Sequence, residues 1–516
     1  MTLAVEMQNI VKRYPNVIAN DNSSLFVQEG EIHGLIGENG AGKSTMMNIL
    51  YGLAEPDSGD IKIFGKQTKI ASPQEAISLG ISMVHQHFML MPNLSAFQNI
   101  ILGRAPTRAG VINKKVATEQ IQEIMETYGL KVDLSAKIYH LSVGEMQRVE
   151  IIKALYRNAK IIILDEPTAV LTPQETDRMM EILLKLKGQG KSIIFITHKL
   201  REVMAITDRI TVMRKGIVTG YVDKSETNPQ ELSRLMVGRE VDLALPRGDF
   251  APGDNVLEIS NLSAFNARGL PALRDFTLSV RKGEVVGIAG VEGNGQTELA
   301  EVISGLLKPR GGNVKMHGTD ITELSVRQRR KNGMSHVPED RLKVGTAKNR
   351  TIMENIIVNR YYQPPYAKYG IINTKRLIEL AEQMKKQFNV KTPDTLRPLS
   401  SLSGGNMQKV VFTREIETDP DLLIAAQPTR GVDIGTIEEI HRTILALRDA
   451  GKAILLISAE LDEILSLSDR IAVMYEGSIA AEFNMGEADE KLIGEYMTGA
   501  KNQKYENSRV NGSDEP

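Results

Sequence analysis

The chain has 516 residues, 41% hydrophobic and 25% charged, which is too long for one ordinary hydrophobic core and predicts at least two globular domains. Its 63 lysines and arginines nearly cancel 64 aspartates and glutamates, so no global field holds nucleic acid or an anionic membrane non-specifically. The absence of cysteine excludes disulfide frameworks and thiolate metal sites.

In chain order, the opening stretch MTLAVEMQNIVKRY lacks the basic region, apolar run and cleavage site of a secretory signal, so export is not expected. A strand is expected over Glu31 to Ile36, then a glycine-rich loop and a helix over Ser44 to Tyr51. Further strands are expected over Ile161 to Leu164 and Ser192 to Thr197. The longest apolar runs, such as Ile161 to Leu164 and Ala453 to Ile457, fall far short of the roughly 20 residues that span a bilayer, so membrane contact would be peripheral. Strands alternating with helical patterns predict an α/β fold, a mainly parallel sheet with helices on both faces and phosphate sites at the strands' carboxyl ends.

The chain repeats itself. Asp208-Arg209-Ile210-Thr211-Val212-Met213 returns as Asp469-Arg470-Ile471-Ala472-Val473-Met474, an offset of 469 − 208 = 261, whereas Gly37 and Gly290 are offset by 290 − 37 = 253. Two homologous domains are therefore expected over 1–244 and 256–498, joined by a linker over 245–255 and followed by a disordered polar tail over 499–516.

The loop Gly37-Glu38-Asn39-Gly40-Ala41-Gly42-Lys43-Ser44 fits GxxxxGK(S/T), whose backbone N–H groups cradle phosphates at a helix N-terminus. Lys43 would reach the β- and γ-phosphates, Ser44 would bind Mg²⁺, and Thr45 follows as the helix starts. The strand Ile161 to Leu164 ends in Asp165-Glu166: Asp165 suits the outer shell of the Mg²⁺, and Glu166 suits the base that polarises the attacking water. Alone, that pair is equally a buried strand followed by a helix-capping acid; beside the phosphate loop the catalytic reading prevails.

With Leu141-Ser142-Val143-Gly144-Glu145 just ahead of that strand, the first half resembles an ATP-binding cassette. The resemblance implies two tandem cassettes of the P-loop NTPase fold, each with a mainly parallel core, an antiparallel β subdomain and a helical signature subdomain. It also implies that Tyr14 stacks on adenine, that Gln86 links the core to the helical subdomain and joins Ser44 and Asp165 at the Mg²⁺, and that His198 contacts the γ-phosphate. Tyr14 is otherwise a strand aromatic and His198 a core histidine. His85 and His87 flank Gln86 and would share one strand face, but with no third ligand a metal pair is disfavoured.

The second half keeps the landmarks and loses the chemistry. Gly290-Val291-Glu292-Gly293-Asn294-Gly295-Gln296-Thr297 has glutamine in place of the lysine; Ala426 and Gln427 replace the acidic pair, Ala459 the histidine and Glu339 the loop glutamine. Conversely, it carries Leu402-Ser403-Gly404-Gly405-Asn406, near the family's LSGGQ signature, and Arg430-Gly431-Val432-Asp433 with the aspartate retained. The first half has Val143 and Glu145 in its signature and Thr172 in place of that aspartate. Cassettes of this family pair head to tail. Lys43, Asp165, Glu166 and His198 would then face Ser403, Gly404, Gly405, Asn406 and Asp433 in one intact site, while Ser142, Gly144 and Glu145 fall into the spoiled one, which would bind nucleotide weakly or statically.

This pattern resembles the monosaccharide and nucleoside importer ATPases, and the run Met83 to Leu90 is most similar to the nucleoside branch. Such proteins bind ATP and Mg²⁺ and serve two transmembrane permeases and, indirectly, an extracytoplasmic binding lipoprotein, at the cytoplasmic face of the cell membrane. A soluble twin-cassette ATPase acting on ribosomes or other complexes is the rival; those tend to keep two working phosphate loops. A nucleic-acid role is not expected, because Arg327 to Lys331 reads as a solvated helix face without interleaved aromatics.

Overall fold

The computed structural model describes residues 2–15, 17–85, 88–108, 111–168, 171–240, 245–248, 251–388 and 390–501. The chain divides into two compact units, Met1–Val241 and Asp242–Pro516.

In the first unit, β1 (Leu3–Tyr14), β2 (Val17–Gln28), β4 (Ser58–Ile63) and β5 (Lys66–Gln67) form an antiparallel sheet in the order β2-β1-β4-β5. A second sheet runs β12-β11-β3-β10-β9-β6, from β3 (Ile32–Gly37), β6 (Ile81–Val84), β9 (Ile161–Asp165), β10 (Ser192–Ile196), β11 (Arg209–Arg214) and β12 (Ile217–Asp223). Its first five strands pair in parallel and β12 closes one edge antiparallel. The apolar runs of β3, β9 and β10 are buried on both faces, as central parallel strands must be when helices cover each side. Helix α1 (Lys43–Leu50) leaves β3, and α2 (Pro73–Ser78) precedes β6. Between β6 and β9 the chain builds a separate lobe from α3 (Ala96–Ile101), the small hairpin β7 (Thr107–Arg108) and β8 (Val111–Ile112), α4 (Lys114–Tyr128) and α5 (Val143–Tyr156). Its core residues, among them Ile100, Ile121 and Ile152, are continuous with Leu164 and Phe195 of the sheet. Helices α6 (Pro173–Gly188), α7 (Leu200–Ile206) and α8 (Pro229–Val237) complete the unit.

The second unit repeats this plan. The antiparallel sheet is β14-β13-β16-β17, from β13 (Asn255–Phe265), β14 (Pro271–Arg281), β16 (Gly311–Met316) and β17 (Thr319–Asp320). The main sheet is β18-β21-β22-β15-β23-β24, from β15 (Val285–Ala289), β18 (Met334–Val337), β21 (Leu422–Ala426), β22 (Ala453–Ile457), β23 (Arg470–Tyr475) and β24 (Ser478–Asn484), with the hairpin β19 (Ala367–Lys368) and β20 (Ile371–Ile372) set apart. Its helices are α9 (Gln296–Ser304), α10 (Val326–Lys331), α11 (Ile352–Ile357), α12 (Thr374–Gln387), α13 (Gly404–Ile416), α14 (Ile434–Asp449), α15 (Leu461–Leu467) and α16 (Glu490–Met497).

A buried acid recurs at the start of the central strand of each unit. Glu31 takes a bidentate guanidinium from Arg209, at 2.8 Å for both bonds, and lies 3.1 Å from His33 Nδ1; Glu284 is held in the same way by Arg281 and Arg470. Burial alone would raise the Glu31 pKa, but His33 and Arg209 outweigh it and bring it down to about 2. A carboxyl depressed from 4.5 to about 2 contributes stability that is complete above pH 4.5 and fades as pH falls toward 2, about 3 kcal/mol in all. Glu31→Gln is therefore expected to lower the urea midpoint at pH 7, with the deficit shrinking toward zero at pH 2; a deficit constant across that range would contradict the ion-pair account.

One expectation is corrected. Arg327 to Lys331 is not uniformly solvated: Arg329 is 2% exposed, and its guanidinium donates to the carbonyls of Val302, Ile303, Thr322 and Leu324. Those carbonyls lie at the end of α9 and in the turn before α10, and one arginine serves all four. Part of the expected linker docks on the second unit. Arg247 donates to the carbonyls of Ser466, Leu467 and Ser468, which end α15, and pairs with Asp469 at 2.7 Å, while Leu245 packs on the second unit's core. Residues 502–516 of the expected tail, and Ala244 at the first domain's expected end, lie outside the described residues.

Candidate nucleotide site

Strand β3 delivers the chain into the glycine-rich loop and α1 leaves it, so the loop sits at the carboxyl end of the sheet facing a helix N-terminus. Gly42 caps α1 at φ 101°, where a side chain's Cβ would lie 2.3 Å from the Ala19 carbonyl oxygen; only glycine fits. Gly295 holds the same place in the second unit at φ 105°, with Ala272 O 2.2 Å from an added Cβ. Both units keep the loop's backbone shape.

Inside the first loop Lys43 is 7% exposed and donates to the carbonyls of Gly37 at 2.6 Å and Glu38 at 3.0 Å. Burial lowers its pKa against the opposing pull of Glu166, Asp165 and Glu38. The adjacent carboxylates of β9 separate. Asp165 is pushed up to about 6 by burial and by Glu166, against Lys43 and a hydrogen bond from Ser44. For Glu166 burial works upward, but the His198 bond and the charges of His198, Lys43 and Lys199 prevail and the pKa is lowered. Glu166 adopts φ 47°, with its N–H on the Ile196 carbonyl at 2.9 Å and its Oε1 3.0 Å from His198 Nδ1. The ends of β3, β9 and β10 thus bring together a cation, a hydroxyl, two carboxylates with different proton affinities and an imidazole. The hard oxygens of Ser44 and Asp165 suit Mg²⁺.

Tyr14 ends β1 and is 45% exposed, with Lys12 Nζ 5.6 Å from its ring centroid. Gln86 and His87 lie outside the described residues. His85 follows the last residue of β6 and sets its ring edge-on to Tyr51 at 5.9 Å.

In the second unit the same backbone carries different chemistry. Gln296 Nε2 donates to the Val291 carbonyl at 3.1 Å. Thr297 donates to Glu339 Oε2 at 2.9 Å, and the other oxygen of Glu339 pairs with Arg430 at 2.7 Å. Gln427 keeps φ 49° and the bond to the Ile457 carbonyl, while its Oε1 accepts from Ala459 N at 3.3 Å and buried Ala426 supplies no charge.

The two signature helices also differ. Ser142 caps α5 and donates its hydroxyl to Glu145 at 2.9 Å, which puts a carboxylate on that helix N-terminus. Ser403 caps α13 and accepts from Asn406 Nδ2 at 2.9 Å, with no acid involved. Gly405 leaves room for Asp433, whose Oδ2 would be 3.0 Å from an added Cβ and whose other carboxylate oxygen caps α14 through Thr436 N. Gly404 lies against Arg341, and Gly144 against Glu175, the acid that completes the Thr172 cap of α6.

Sequence reading missed two devices. Buried Glu202 accepts from Thr168 at 2.7 Å and Thr197 at 3.2 Å, tying the segment after the acidic pair to the residue before His198; a lone acid in a helical run reads as solvent-facing. Gln147 and Gln408, offset by the 261-residue repeat, each donate to the carbonyl of the proline after the acidic or former acidic pair, Pro167 and Pro428.

Fold and phosphate loop together define the protein as a tandem P-loop nucleotide-binding ATPase. The chain belongs to the ABC transporter family: the family described as ABC transporter matches residues 20–169 and 273–430. It is 48% identical over 512 residues to a guanosine import ATP-binding protein, NupO, of Bacillus subtilis, covering 99% of this chain and 100% of that one. It is 47% identical to a nucleoside import ATP-binding protein, NupA, of Lactococcus lactis, over 96% of this chain and 98% of that one, and 46% identical to a glucose import ATP-binding protein, TsgD13, of Haloferax volcanii, over 96% of each. Among solved structures, archaeal ribosome recycling factor aABCE1, in its complex with stalk protein aP1, is similar with a TM-score of 0.62 at 20% identity, over 92% of this chain and 90% of that one. At that identity the likeness shows the fold alone. Proteins of this family bind ATP, normally with Mg²⁺, and hydrolyse it. Among the described residues no helix is long and apolar enough to cross a membrane.

Proposed function

We propose that this chain is the ATP-hydrolysing subunit of a nucleoside importer, acting on two permease subunits at the cytoplasmic face of the membrane and served by an extracytoplasmic binding lipoprotein. The observation that carries the reading is the near-complete alignment with the guanosine and nucleoside import proteins at 48% and 47% identity. The fold-level likeness to a ribosome recycling factor does not favour the soluble rival, because it is shared by any tandem cassette.

In this reading the cassettes pair head to tail and only one site turns over. Lys43 exchanges its bonds to the Gly37 and Glu38 carbonyls for the β- and γ-phosphates of ATP. Tyr14 stacks on the adenine. Ser44, Asp165 and Gln86 hold Mg²⁺, which neutralises charge on the phosphate oxygens when bound. Glu166 accepts a proton from the attacking water as its oxygen bonds to the γ-phosphorus and the bond to ADP breaks, and His198 orients both. The second cassette contributes the N-terminus of α13, with Ser403 to Asn406, and Asp433. The other site, with Gln296, Gln427 and Ala459, holds nucleotide without hydrolysing it.

In a host lacking the gene, uptake of labelled guanosine is expected to fall to background and to return with the wild-type chain but not with Glu166→Gln; labelled ribose and glucose are the controls. Loss of ribose or glucose uptake with guanosine unaffected would reassign the solute. Unchanged uptake of all three would favour the soluble rival.

A further inference from the structure

A cavity of about 110 Å³ lies in the second unit between the end of α9, helix α10, strand β18 and helix α13, lined by Ser304, Arg330, His336, Val344 and Arg414 among others. The repeat makes its origin visible. At the positions 253 earlier than Ser304, Arg330 and His336 the first unit has Tyr51, Ile77 and Met83, and 261 earlier than Glu415 it has Ala154. Tyr51 is buried there, its ring against His85, so an aromatic takes up the space that Ser304 leaves open. One unit is packed with apolar groups where the other has exchanged four of them for polar or charged ones, a costly change for a core unless the new groups find partners.

Those partners are incomplete. Arg330 and Arg414 share a single carboxylate, fully buried Glu415, at 2.7 Å and 2.9 Å. The cluster is left with one positive charge in excess. His336 is 8% exposed, and its Nε2 has no hydrogen-bond partner. Leaving such a buried atom unpaired is destabilising, and a water needs only about 10–15 Å³, so the volume admits several waters or a solute of a few heavy atoms. Each guanidinium has five N–H donors: the Glu415 bonds use two on Arg330 and one on Arg414, and Arg414 Nη1 donates to the carbonyls of Gly345 at 3.0 Å and Asn355 at 3.2 Å, which leaves the Nη2 donors of Arg414 and three donors of Arg330 for a solute.

We propose that this cavity binds a small oxyanion, a carboxylate or a phosphate-sized tetrahedral anion, with its charge met by Arg330 and Arg414 and a hydrogen bond from His336. Such an anion would tie Arg414 on α13 to His336 on β18, two elements of the second unit otherwise joined here through Glu415. The binding does not depend on the nucleoside reading or on the pairing of the cassettes.

Crystals of the full chain soaked in selenate test it, because the phosphate loop at Gly40 to Ser44 supplies an internal control. Two anomalous peaks are expected, one at that loop and one between Arg330 and His336. Ser304→Tyr, which restores the first unit's residue, should remove the second peak only. A cavity peak that survives Ser304→Tyr overturns the proposal, and a wild-type crystal with selenate at the loop and none in the cavity excludes a tetrahedral anion there. In solution, acetate and inorganic phosphate are added separately while the His336 ring ¹H–¹³C signal, identified by its loss in His336→Met, is followed. A shift with acetate alone assigns a carboxylate and with phosphate alone a phosphate, in each case abolished by Ser304→Tyr; no shift with either overturns the site.

Discussion

Glu166→Gln should bind ATP as the wild type does and hydrolyse it about 10²–10⁴ times more slowly, the range a positioned general base contributes. The substitution leaves the shape intact. The second unit already carries glutamine at the matching position, with φ 49° against 47° and the same backbone bond to the neighbouring strand. What changes is the charge: Glu166 is held ionised beside His198, whereas Gln427 spends its Oε1 on a backbone N–H. Gln427→Ala should accordingly alter turnover little. Phosphate release at saturating ATP, with nucleotide binding measured in parallel, separates the outcomes, and equal losses in the two variants would refute the assignment of a single hydrolytic site. The positive φ shared by Glu166 and Gln427 shows that the strained turn belongs to the junction of strand and loop in both units, not to the base itself.

The second large effect concerns the helix that the other cassette would contribute. Asn406→Glu copies the first unit, where Glu145 accepts from the Ser142 hydroxyl and sets a negative charge on the N-terminus of α5. On α13 that charge would claim the Ser403 hydroxyl and repel a phosphate approaching the helix N-terminus. Turnover is expected to fall about 10²-fold, on the scale of losing one preorganised donor to a transition-state oxyanion. The substitution preserves the helix start, since a serine three residues ahead of a glutamate forms a capping box that stabilises the helix. The reciprocal Glu145→Asn should leave turnover unchanged. Measured on the full chain, a loss from Glu145→Asn matching that from Asn406→Glu would sink the head-to-tail reading.

Much of the fold and of the candidate site was legible because the chemistry is local. A phosphate loop needs glycine, lysine and serine within eight consecutive positions, and a strand ending in Asp165-Glu166 announces itself by an apolar run and two acids. The repeat then exposed the second unit's losses at Gln296, Ala426, Gln427 and Ala459 by direct comparison. Contacts between distant segments were not legible. Nothing around Arg329 indicates that four carbonyls from two stretches converge on it, and nothing around Arg247 that it caps a helix some 220 positions on. The Thr297–Glu339–Arg430 chain likewise joins three segments that read separately.

From its own residues, then, the sequence determined the two-unit α/β plan, the position of the intact phosphate loop and the unit in which the acidic pair survives. Each of these depends on residue type at short spacing or on hydrophobic period. Tertiary structure alone decided which acid is driven toward its neutral form and which is held ionised, which arginines are buried, and that Ser304 opens a cavity where Tyr51 closes one. Proton affinity, desolvation and packing volume depend on neighbours that only folding brings within a few ångströms.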